Sequence, residues 1–336
     1  MQNSPSHTFR ILLISVLSVL VIAVLWTGYS FKAASESPDN SYQRYFNENY
    51  KIFSLSSPND LTFAEEEVPL HIIDVREKLD QELLVNTYWQ SQTLLFHKRA
   101  NRWFPIIEPI LKENGVPDDF KYLAVIESGL TDIVSPAGAT GFWQFMRSTG
   151  REYGLEINNE VDERYHIEKA TAAACAYLKD AHEKYGTWSM AAASYNMGMS
   201  GLNKQVKRQN VDNYYDLLLN SETGRYMYRI LAIKEILSKP ARYGFHFRPQ
   251  DLYPTYDTRI VTIDERVVDF SEFALENGIN YKILKILNPW LRDTYLTNPS
   301  GKTYEIKLPS DTIQGLVPFD EQKAVSDTLM SEPLSN

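Results

Sequence analysis

The sequence predicts a mainly α-helical body followed by a small α+β module. Apolar residues recur at helical spacing from about residue 70 to Ser238, and nothing before Pro240 alternates like a substantial sheet. After Pro254, two alternating segments flank two short helical ones. The 336 residues suffice for one large domain and a small one.

The chain begins with a candidate membrane segment. From Ile11 to Trp26 the chain is apolar except for Ser15 and Ser18, and it stays largely apolar to Phe31. About 20 apolar residues can cross a bilayer. We therefore expect a cytoplasmic stub at 1–10 and a transmembrane anchor at 11–31. A signal peptide cleaved near residues 33–35 is the alternative.

A polar linker and a helical body are predicted next. Residues 32–59 are rich in Ser, Asn and Asp, which is typical of a linker. The body, residues 60–245, is predicted to contain the helices Leu70–Lys78, Gln81–Arg99, Trp103–Glu113, Pro117–Gly129, Ile167–Lys184, Trp188–Met197 and Glu222–Ser238. In the fourth of these, Pro117 suits a first helical position and Gly129 a helix stop.

The same helix carries a carboxylate where its apolar stripe should continue. Phe120, Leu123 and Ala124 are followed one turn later by Glu127, at a position where Leu would complete the series. A carboxyl that faces a core is desolvated, so its pKa should rise towards neutral pH. This is the property of a general acid. A side chain that turns to solvent at the helix end is the alternative.

Four short blocks resemble a known enzyme family. In order they are Glu127-Ser128, Gly141-Phe142-Trp143-Gln144, Ser194-Tyr195-Asn196, and Glu222-Thr223 with Tyr226 after it. Together they resemble the lytic transglycosylases of family 1, in the membrane-bound murein transglycosylase D group. The resemblance covers roughly residues 70–237. Phe142-Trp143 replaces the usual Leu-Met or Leu-Trp, and Ser194 replaces the usual Ala, which can alter the fit at individual sugar subsites.

The resemblance implies a goose-lysozyme-like (SLT) catalytic domain and a reaction that needs one carboxyl. Glu127 would protonate the β-1,4 bond between N-acetylmuramic acid and N-acetylglucosamine. It would then accept the proton of the muramic C6 hydroxyl, which attacks its own anomeric carbon and gives a 1,6-anhydro end. The supporting residues implied are Ser128 and Tyr226 around the carboxyl, Gly141 and Gln144 against the glycan, and Tyr195 and Asn196 at the acetamido groups. Ser128 as a cap of backbone groups and Trp143 as a core residue are alternatives.

Two other functions stay open at this point. Asp132, five positions after Glu127, would be the second carboxylate of a lysozyme-type hydrolase. A non-catalytic scaffold that only binds peptidoglycan is the other, and the presence of Glu127 and of Tyr195-Asn196 argues against it. Asp162, Glu163 and Arg164 are predicted to form a helix cap and a local ion pair rather than a catalytic group.

The C-terminal segment, residues 252–309, has a β-α-α-β pattern. Its predicted elements are Tyr256–Ile263, Val268–Glu276, Tyr281–Leu287 and Thr303–Leu308. This order resembles a LysM carbohydrate-binding module and matches it at Asn288, Gly301 and residues 306–309. The usual Gly-Asp-Thr of the first turn is replaced by residues 264–266, so a structural or dimerisation role is an alternative to sugar binding. The polar, acidic tail, residues 310–336, is predicted to be disordered.

Composition and charge limit the partners. The net charge of −9 leaves no basic surface for nucleic acid. The single cysteine, Cys175, excludes an intrachain disulfide and is predicted to be a buried core residue. His166 and His182 lack the spacing of metal ligands, so no metal or cofactor is expected. The partners implied are peptidoglycan glycan strands and, through residues 11–31, a bacterial membrane, with the body in the periplasm; no oligomeric state is predicted.

Overall fold

The computed structural model describes residues 16–26, 38–49 and 52–310. The chain forms two units, Met1–Ser54 and Leu55–Asn336. The predicted stub at 1–10, both ends of the predicted anchor, and the tail beyond Ser310 lie outside the described residues.

The described residues of the first unit form the helices α1, at residues 16–26, and α2, at Pro38–Asn49. The apolar side chains of α1 are exposed, from Val16 at 52% to Trp26 at 71%. Within the three described stretches, no helix has the length and apolar character that crossing a membrane requires.

Helix α2 lies within residues 32–59, the segment predicted to be a linker. Tyr42, Tyr45 and Phe46 follow the i, i+3, i+4 spacing of one helix face. Asp39 lies in the first turn, where the helix dipole favours a negative charge. These two features favour a helix at Pro38–Asn49 despite the polar composition of the segment.

The second unit opens with a body that is mainly α-helical, as predicted. Two short paired strands, β1 (Thr62–Phe63) and β2 (Glu66–Glu67), precede the helices. The helices are α3 (Ile73–Tyr88), α4 (Gln90–Glu113), α5 (Lys121–Ser128), α6 (Arg147–Glu152), α7 (Ile167–Tyr185), α8 (Trp188–Met197), α9 (Met199–Gln209) and α10 (Thr223–Ser238).

The prediction of three helices between residues 70 and 113 is wrong, because α3 and α4 fill this segment and meet at Trp89. Val75, Leu79 and Leu83 are fully buried at intervals of four, so packing holds α3 together across the expected break. Helix α4 continues through Pro105 and Pro109. Both prolines are exposed, so water can satisfy the carbonyl groups that they leave unbonded.

The core brings α5, α8 and α10 together. Helix α10 contacts α3, α5 and α8, and it buries Tyr226, Ile230 and Ile233 among other residues. Helix α7 buries a row of alanines and packs on α4 and α8. Cys175 of α7 is free and buried, as predicted. This packing places the ends of α5, α8 and α10 next to one another.

The C-terminal module has the predicted β-α-α-β order. Its elements are β3 (Thr258–Ile263), α11 (Phe270–Glu276), α12 (Tyr281–Leu287) and β4 (Tyr304–Pro309). The two strands pair antiparallel, from Thr258 opposite Pro309 to Ile263 opposite Tyr304. Short 3-10 turns at Pro240–Tyr243 and Pro249–Asp251 connect the body to the module.

The module is attached to the body through residues 160–165. Val161 and Tyr165 belong to the module's hydrophobic core, and Val161 forms a β-bridge with Leu291. The Asp162 N–H donates to the Trp290 carbonyl at 2.9 Å, and the Arg292 N–H donates to the Glu160 carbonyl at 2.7 Å. The module and the body therefore share backbone pairing and apolar packing.

Candidate active site

Glu127 lies in the last turn of α5, at the edge of the body's core. A 3-10 turn, Asp118–Phe120, leads into α5, so the predicted single helix is divided in two types of turn. Gly129 ends the helix in the left-handed conformation, with φ of 62° and its N–H donating to the Val125 carbonyl at 2.8 Å. The predicted stop is confirmed, and the Glu127 side chain is half-buried as the chain turns away.

Tyr226 holds the Glu127 carboxyl. It lies in the first turn of α10 and is 1% exposed, and its hydroxyl donates to Oε1 of Glu127. Burial raises the pKa of Tyr226 well above its ordinary value. The phenol is therefore a neutral donor throughout the physiological range.

The surroundings of Glu127 favour its protonated form. Burial raises its pKa from 4.5 to about 7. The hydrogen bond from Tyr226 and the positive charge of Arg229 lower the pKa, and the negative charge of Glu222 raises it. The balance leaves a carboxyl that can both donate and accept a proton near neutral pH.

Ser128 is placed differently from the expectation. Its hydroxyl donates to the Phe142 carbonyl at 2.9 Å and to the Ala124 carbonyl at 3.3 Å, so it does not orient the carboxyl of Glu127. It is 7% exposed. Ser128 thus follows the alternative of a backbone cap, and it ties α5 to the loop that contains Gly141 and Gln144.

That loop is held by close backbone packing. Gly141 has φ of 78°, and a Cβ atom there would lie 2.0 Å from the Arg164 carbonyl oxygen. Gln144 has φ of 48°, and its Nε2 donates to the carbonyls of Gly141 at 2.7 Å and Ile133 at 3.1 Å. Trp143 is fully buried and donates to the Thr171 hydroxyl at 2.9 Å, which makes it a core residue.

The buried Arg164 side chain forms hydrogen bonds to the backbone of this loop. Its guanidinium pairs with Asp162 at 2.7 Å, and both side chains are buried. Its Nη1 also donates to the carbonyls of Gly138 at 3.1 Å and Phe145 at 3.2 Å. The Asp162 side chain accepts from the Arg164 N–H, and Glu163 pairs with Lys169 at 2.5 Å. The predicted cap and ion pair are confirmed.

Tyr195 and Asn196 connect α8 to the other two sides of the site. The Tyr195 hydroxyl donates to the Trp143 carbonyl at 2.7 Å. The Asn196 amide donates to Glu222 at 3.1 Å and accepts from the Thr223 hydroxyl at 2.7 Å. Burial raises the pKa of Tyr195 well above its ordinary value, so this phenol is also neutral.

Asp132 does not join the charges around Glu127. It lies on the loop after α5, where desolvation raises its pKa from 3.8 to about 7 and the positive charge of Arg292, from the module, lowers it. The charges that act on Glu127 are instead those of Arg229 and Glu222.

Arg229 and Glu222 are the residues that sequence reasoning did not assign to the site. With Tyr226 they occupy positions i, i+4 and i+7 around α10, which lie on one helix face. Arg229 also donates to the Ile126 carbonyl at 3.0 Å. An open cavity of about 420 Å³ adjoins this face, lined also by Trp89 and by Arg225, which pairs with the buried Glu82. The helical spacing from Glu222 to Arg229 was the signal that could have identified them.

Comparison with known proteins assigns both parts of the second unit. Residues 104–217 match the family model described as the transglycosylase SLT domain, and residues 259–312 match the soluble lytic transglycosylase C-terminal LysM-like domain. The first match includes Glu127, Gln144 and Asn196 and ends before Tyr226.

Two curated relatives are similar to most of the chain. They are the membrane-bound lytic murein transglycosylase D of Escherichia coli strain K12 and that of Escherichia coli strain CFT073, each 27% identical over 294 residues. The alignment covers 83% of this chain and 63% of each relative. The chain described above therefore carries a transglycosylase SLT domain followed by a LysM-like domain of the soluble lytic transglycosylase type.

Proposed function

We propose that this protein is a peptidoglycan lytic transglycosylase. It cleaves the β-1,4 bond between N-acetylmuramic acid and N-acetylglucosamine and leaves a 1,6-anhydro end on the muramic residue. The observation that carries the proposal is the half-buried Glu127, whose pKa is raised to about 7 and whose carboxyl is held by Tyr226. The SLT domain match and the activity stated in the names of the two relatives support it.

Glu127 acts first as an acid and then as a base. Its proton passes to the glycosidic oxygen as the bond to the anomeric carbon breaks. The resulting carboxylate then takes the proton of the muramic C6 hydroxyl, whose oxygen attacks the anomeric carbon and closes the anhydro ring. The second transfer restores the protonated acid, so one carboxyl with a pKa near 7 serves both steps.

The other site residues bind and position the glycan. The loop at Gly141 and Gln144 would contact the glycan, and Tyr195 and Asn196 on α8, next to this loop through the hydrogen bond from Tyr195 to the Trp143 carbonyl, would position its acetamido groups. Nε2 of Gln144 is bonded to backbone carbonyls, which leaves its amide oxygen to accept from an acetamido N–H. Ser128 acts indirectly, by fixing the position of the loop.

A muramidase using Asp132 is not favoured, because the SLT domain match and the names of the two relatives support a lytic transglycosylase. Digestion of purified sacculi distinguishes the alternatives. We expect soluble muropeptides one water lighter than hydrolysis products. Muropeptides with reducing ends would establish hydrolysis, and a scaffold would release none.

We also propose that the protein acts in the cell envelope. Residues 11–31 would serve as the anchor, residues 60–245 as the catalytic domain and residues 252–309 as the LysM-like module. The exposed apolar side chains of α1 and the description of the two relatives as membrane-bound support the anchor. Alkaline extraction of membranes tests it: the full chain should remain in the membrane pellet, and a chain lacking residues 1–31 should not.

A further inference from the structure

A second cavity lies where the LysM-like module meets the catalytic body. It measures about 260 Å³. The body contributes Trp103, Asp132 and Phe142 to its walls, and the module contributes Ile286 and Trp290 among others. Neither part forms this cavity alone.

Aromatic rings make up much of the wall. Trp103 lies edge-on to Phe142 and to Tyr256, with ring centroids 5.1 Å and 5.9 Å away. Trp290 and Tyr165 add two more rings to the lining. Flat apolar surfaces of this kind suit the C–H faces of a sugar ring, because both are rigid and only weakly hydrated.

Charged groups of the cavity lie close to one another, although Nδ1 of His166 and Oε2 of Glu168 are buried without a hydrogen bond. His166 Nδ1 lies 3.1 Å from Glu168 Oε2, and Glu168 also pairs with Lys307 of the module. The carboxylate of Glu168 therefore offsets the positive charge that Lys307 would offer to an anionic ligand such as a peptide carboxylate. Asp132 at the rim can accept hydrogen bonds from hydroxyl or amide groups. The lining is therefore suited to a neutral, hydroxylated ligand.

Both walls are fixed before any ligand binds. The bridge between Val161 and Leu291 and the hydrogen bond from Asp162 to Trp290 hold the module against the body. Arg292 stacks on the Tyr165 ring at 4.1 Å. A preformed cavity with apolar walls and a few polar groups is the usual form of a small-ligand site.

The cavity also adjoins the loop that contains Gly141 and Gln144. Phe142 in its wall follows Gly141 directly, and the Phe142 carbonyl accepts from Ser128, the residue after Glu127. Asp132 at the rim lies on the loop that leaves the catalytic helix.

We propose that this junction cavity is a glycan subsite. It binds one N-acetylhexosamine of a β-1,4-linked strand whose scissile bond lies at Glu127. The choice of a sugar rests on the proposed function. The LysM-like module then contributes to substrate binding through its contact with the body.

Filling the cavity tests the subsite. Ile286 is 39% exposed on α12 and lines the cavity, so Ile286→Trp adds bulk into it without opening the module's core. The matched control is Leu275→Trp on α11, where Leu275 is 71% exposed and is not part of the lining. Both changes are made in the full chain carrying Glu127→Gln, which prevents turnover.

The binding of the N-acetylglucosamine hexamer to each variant is measured by isothermal titration calorimetry. We expect Ile286→Trp to weaken hexamer binding about tenfold, or about 1.4 kcal/mol, while Leu275→Trp leaves it unchanged. Hexamer binding equal in the two variants would overturn the subsite. If Ile286→Trp does not fold, Thr258→Trp on β3 blocks the cavity from another side, with the same two outcomes.

The subsite and the proposed function can fail separately. If sacculi release no anhydro products but Ile286→Trp still weakens hexamer binding, the subsite stands and the transglycosylase proposal falls. If anhydro products form and the two variants bind the hexamer equally, only the subsite falls.

Discussion

At the scale of single residues, the site depends on a carboxyl held where its charge is disfavoured. Burial raises the pKa of Glu127, while Tyr226 and Arg229 keep the pKa from rising further. The two opposing influences leave the group able to change protonation state near neutral pH. Groups of this kind are common at catalytic sites because proton transfer needs a pKa close to the working pH.

Glu127→Gln should abolish activity. The amide cannot donate the proton that the leaving oxygen requires, so we expect a loss of about 10³-fold or more in the release of anhydromuropeptides, on the scale typical of lost acid–base catalysis. Asp132→Asn is the matched control and should retain most activity. Comparable losses in the two variants, with both proteins folded, would contradict the single-carboxyl mechanism.

The pH profile should follow the proton on Glu127. The acid must be protonated at the start, so kcat/KM should be high below pH 7 and fall as pH rises through the pKa of about 7. The Tyr226 hydrogen bond lowers this pKa. In Tyr226→Phe the falling limb should therefore move to higher pH, in addition to any loss of rate from poorer positioning. A limb that stayed in place or moved to lower pH would contradict the role assigned to the hydroxyl.

The raised pKa of Glu127 also predicts that ionisation of this carboxyl destabilises the folded protein at high pH. The folded state binds the Glu127 proton more tightly than the unfolded state, because the pKa rises from 4.5 to about 7. This contribution to stability is present below about pH 4.5 and is lost as pH rises through about 7. Glu127→Gln should therefore raise the free energy of unfolding at pH 8 by about 1–3 kcal/mol, and by much less at pH 4. Urea denaturation at both pH values measures it, and an equal effect at both would refute this explanation.

At the scale of elements, the loop from Gly138 to Phe145 is held in position by Arg164 and Ser128. Arg164 binds two of its carbonyls, and the Arg164 backbone fills the space where a Gly141 side chain would be. Ser128 fixes the same loop to α5. The position of the loop relative to helix α5 is therefore fixed by these hydrogen bonds and by close packing.

Substitutions at Gly138 and Gly141 distinguish the effect of steric crowding by a new Cβ atom from the effect of backbone strain at positive φ. Gly138→Ala and Gly141→Ala both place a Cβ at positive φ, of 87° and 78°. Only at Gly141 does the Cβ meet backbone, 2.0 Å from the Arg164 carbonyl oxygen; at Gly138 nothing lies within 4 Å. We expect Gly138→Ala to lower the free energy of unfolding by about 1 kcal/mol, and Gly141→Ala by more than about 3 kcal/mol, with loss of activity. Equal effects on thermal unfolding would show that the close approach is unimportant.

At the scale of the whole molecule, the LysM-like module is an integral part of the second unit. Its core contains Val161 and Tyr165 of the body, and ion pairs such as Lys302 with Glu156 at 2.5 Å join the two parts. Apolar burial and backbone pairing across the junction link the stabilities of the two parts. A module tethered only by a flexible linker would not have these contacts.

We therefore expect the body and the module to unfold together. Leu291 is fully buried and bridges Val161, so Leu291→Ala should destabilise the protein by about 2–5 kcal/mol. Leu275→Ala, at a residue that is 71% exposed, should change it by less than about 0.5 kcal/mol. Differential scanning calorimetry should show one transition that shifts as a whole in Leu291→Ala. A second transition that alone moved would show that the module unfolds independently.

Sequence reasoning succeeded where local pattern and tertiary packing agree. Helices α8 and α12 have the predicted bounds, because their apolar periodicity and flanking breakers coincide with the real contacts. It missed α6 and α9. Helix α6 has six residues, too few to show a period, and α9 buries only Leu202 in a polar segment. It also misplaced the break between α3 and α4, since packing of α3 rather than local composition decides where that helix ends.

By itself the sequence determined the helical body, the β-α-α-β module and the candidate acid, because periodicity and a carboxylate in an apolar stripe are local signals. Only the tertiary structure decided which groups surround that acid. Tyr226 is 99 residues away along the chain, and Ser128, its neighbour, turns to a different partner. The docking of the module on residues 160–165 was equally invisible, because Val161 and Leu291 are both ordinary apolar residues until the fold pairs them. Contacts between distant segments depend on how whole elements pack, and no local pattern encodes that.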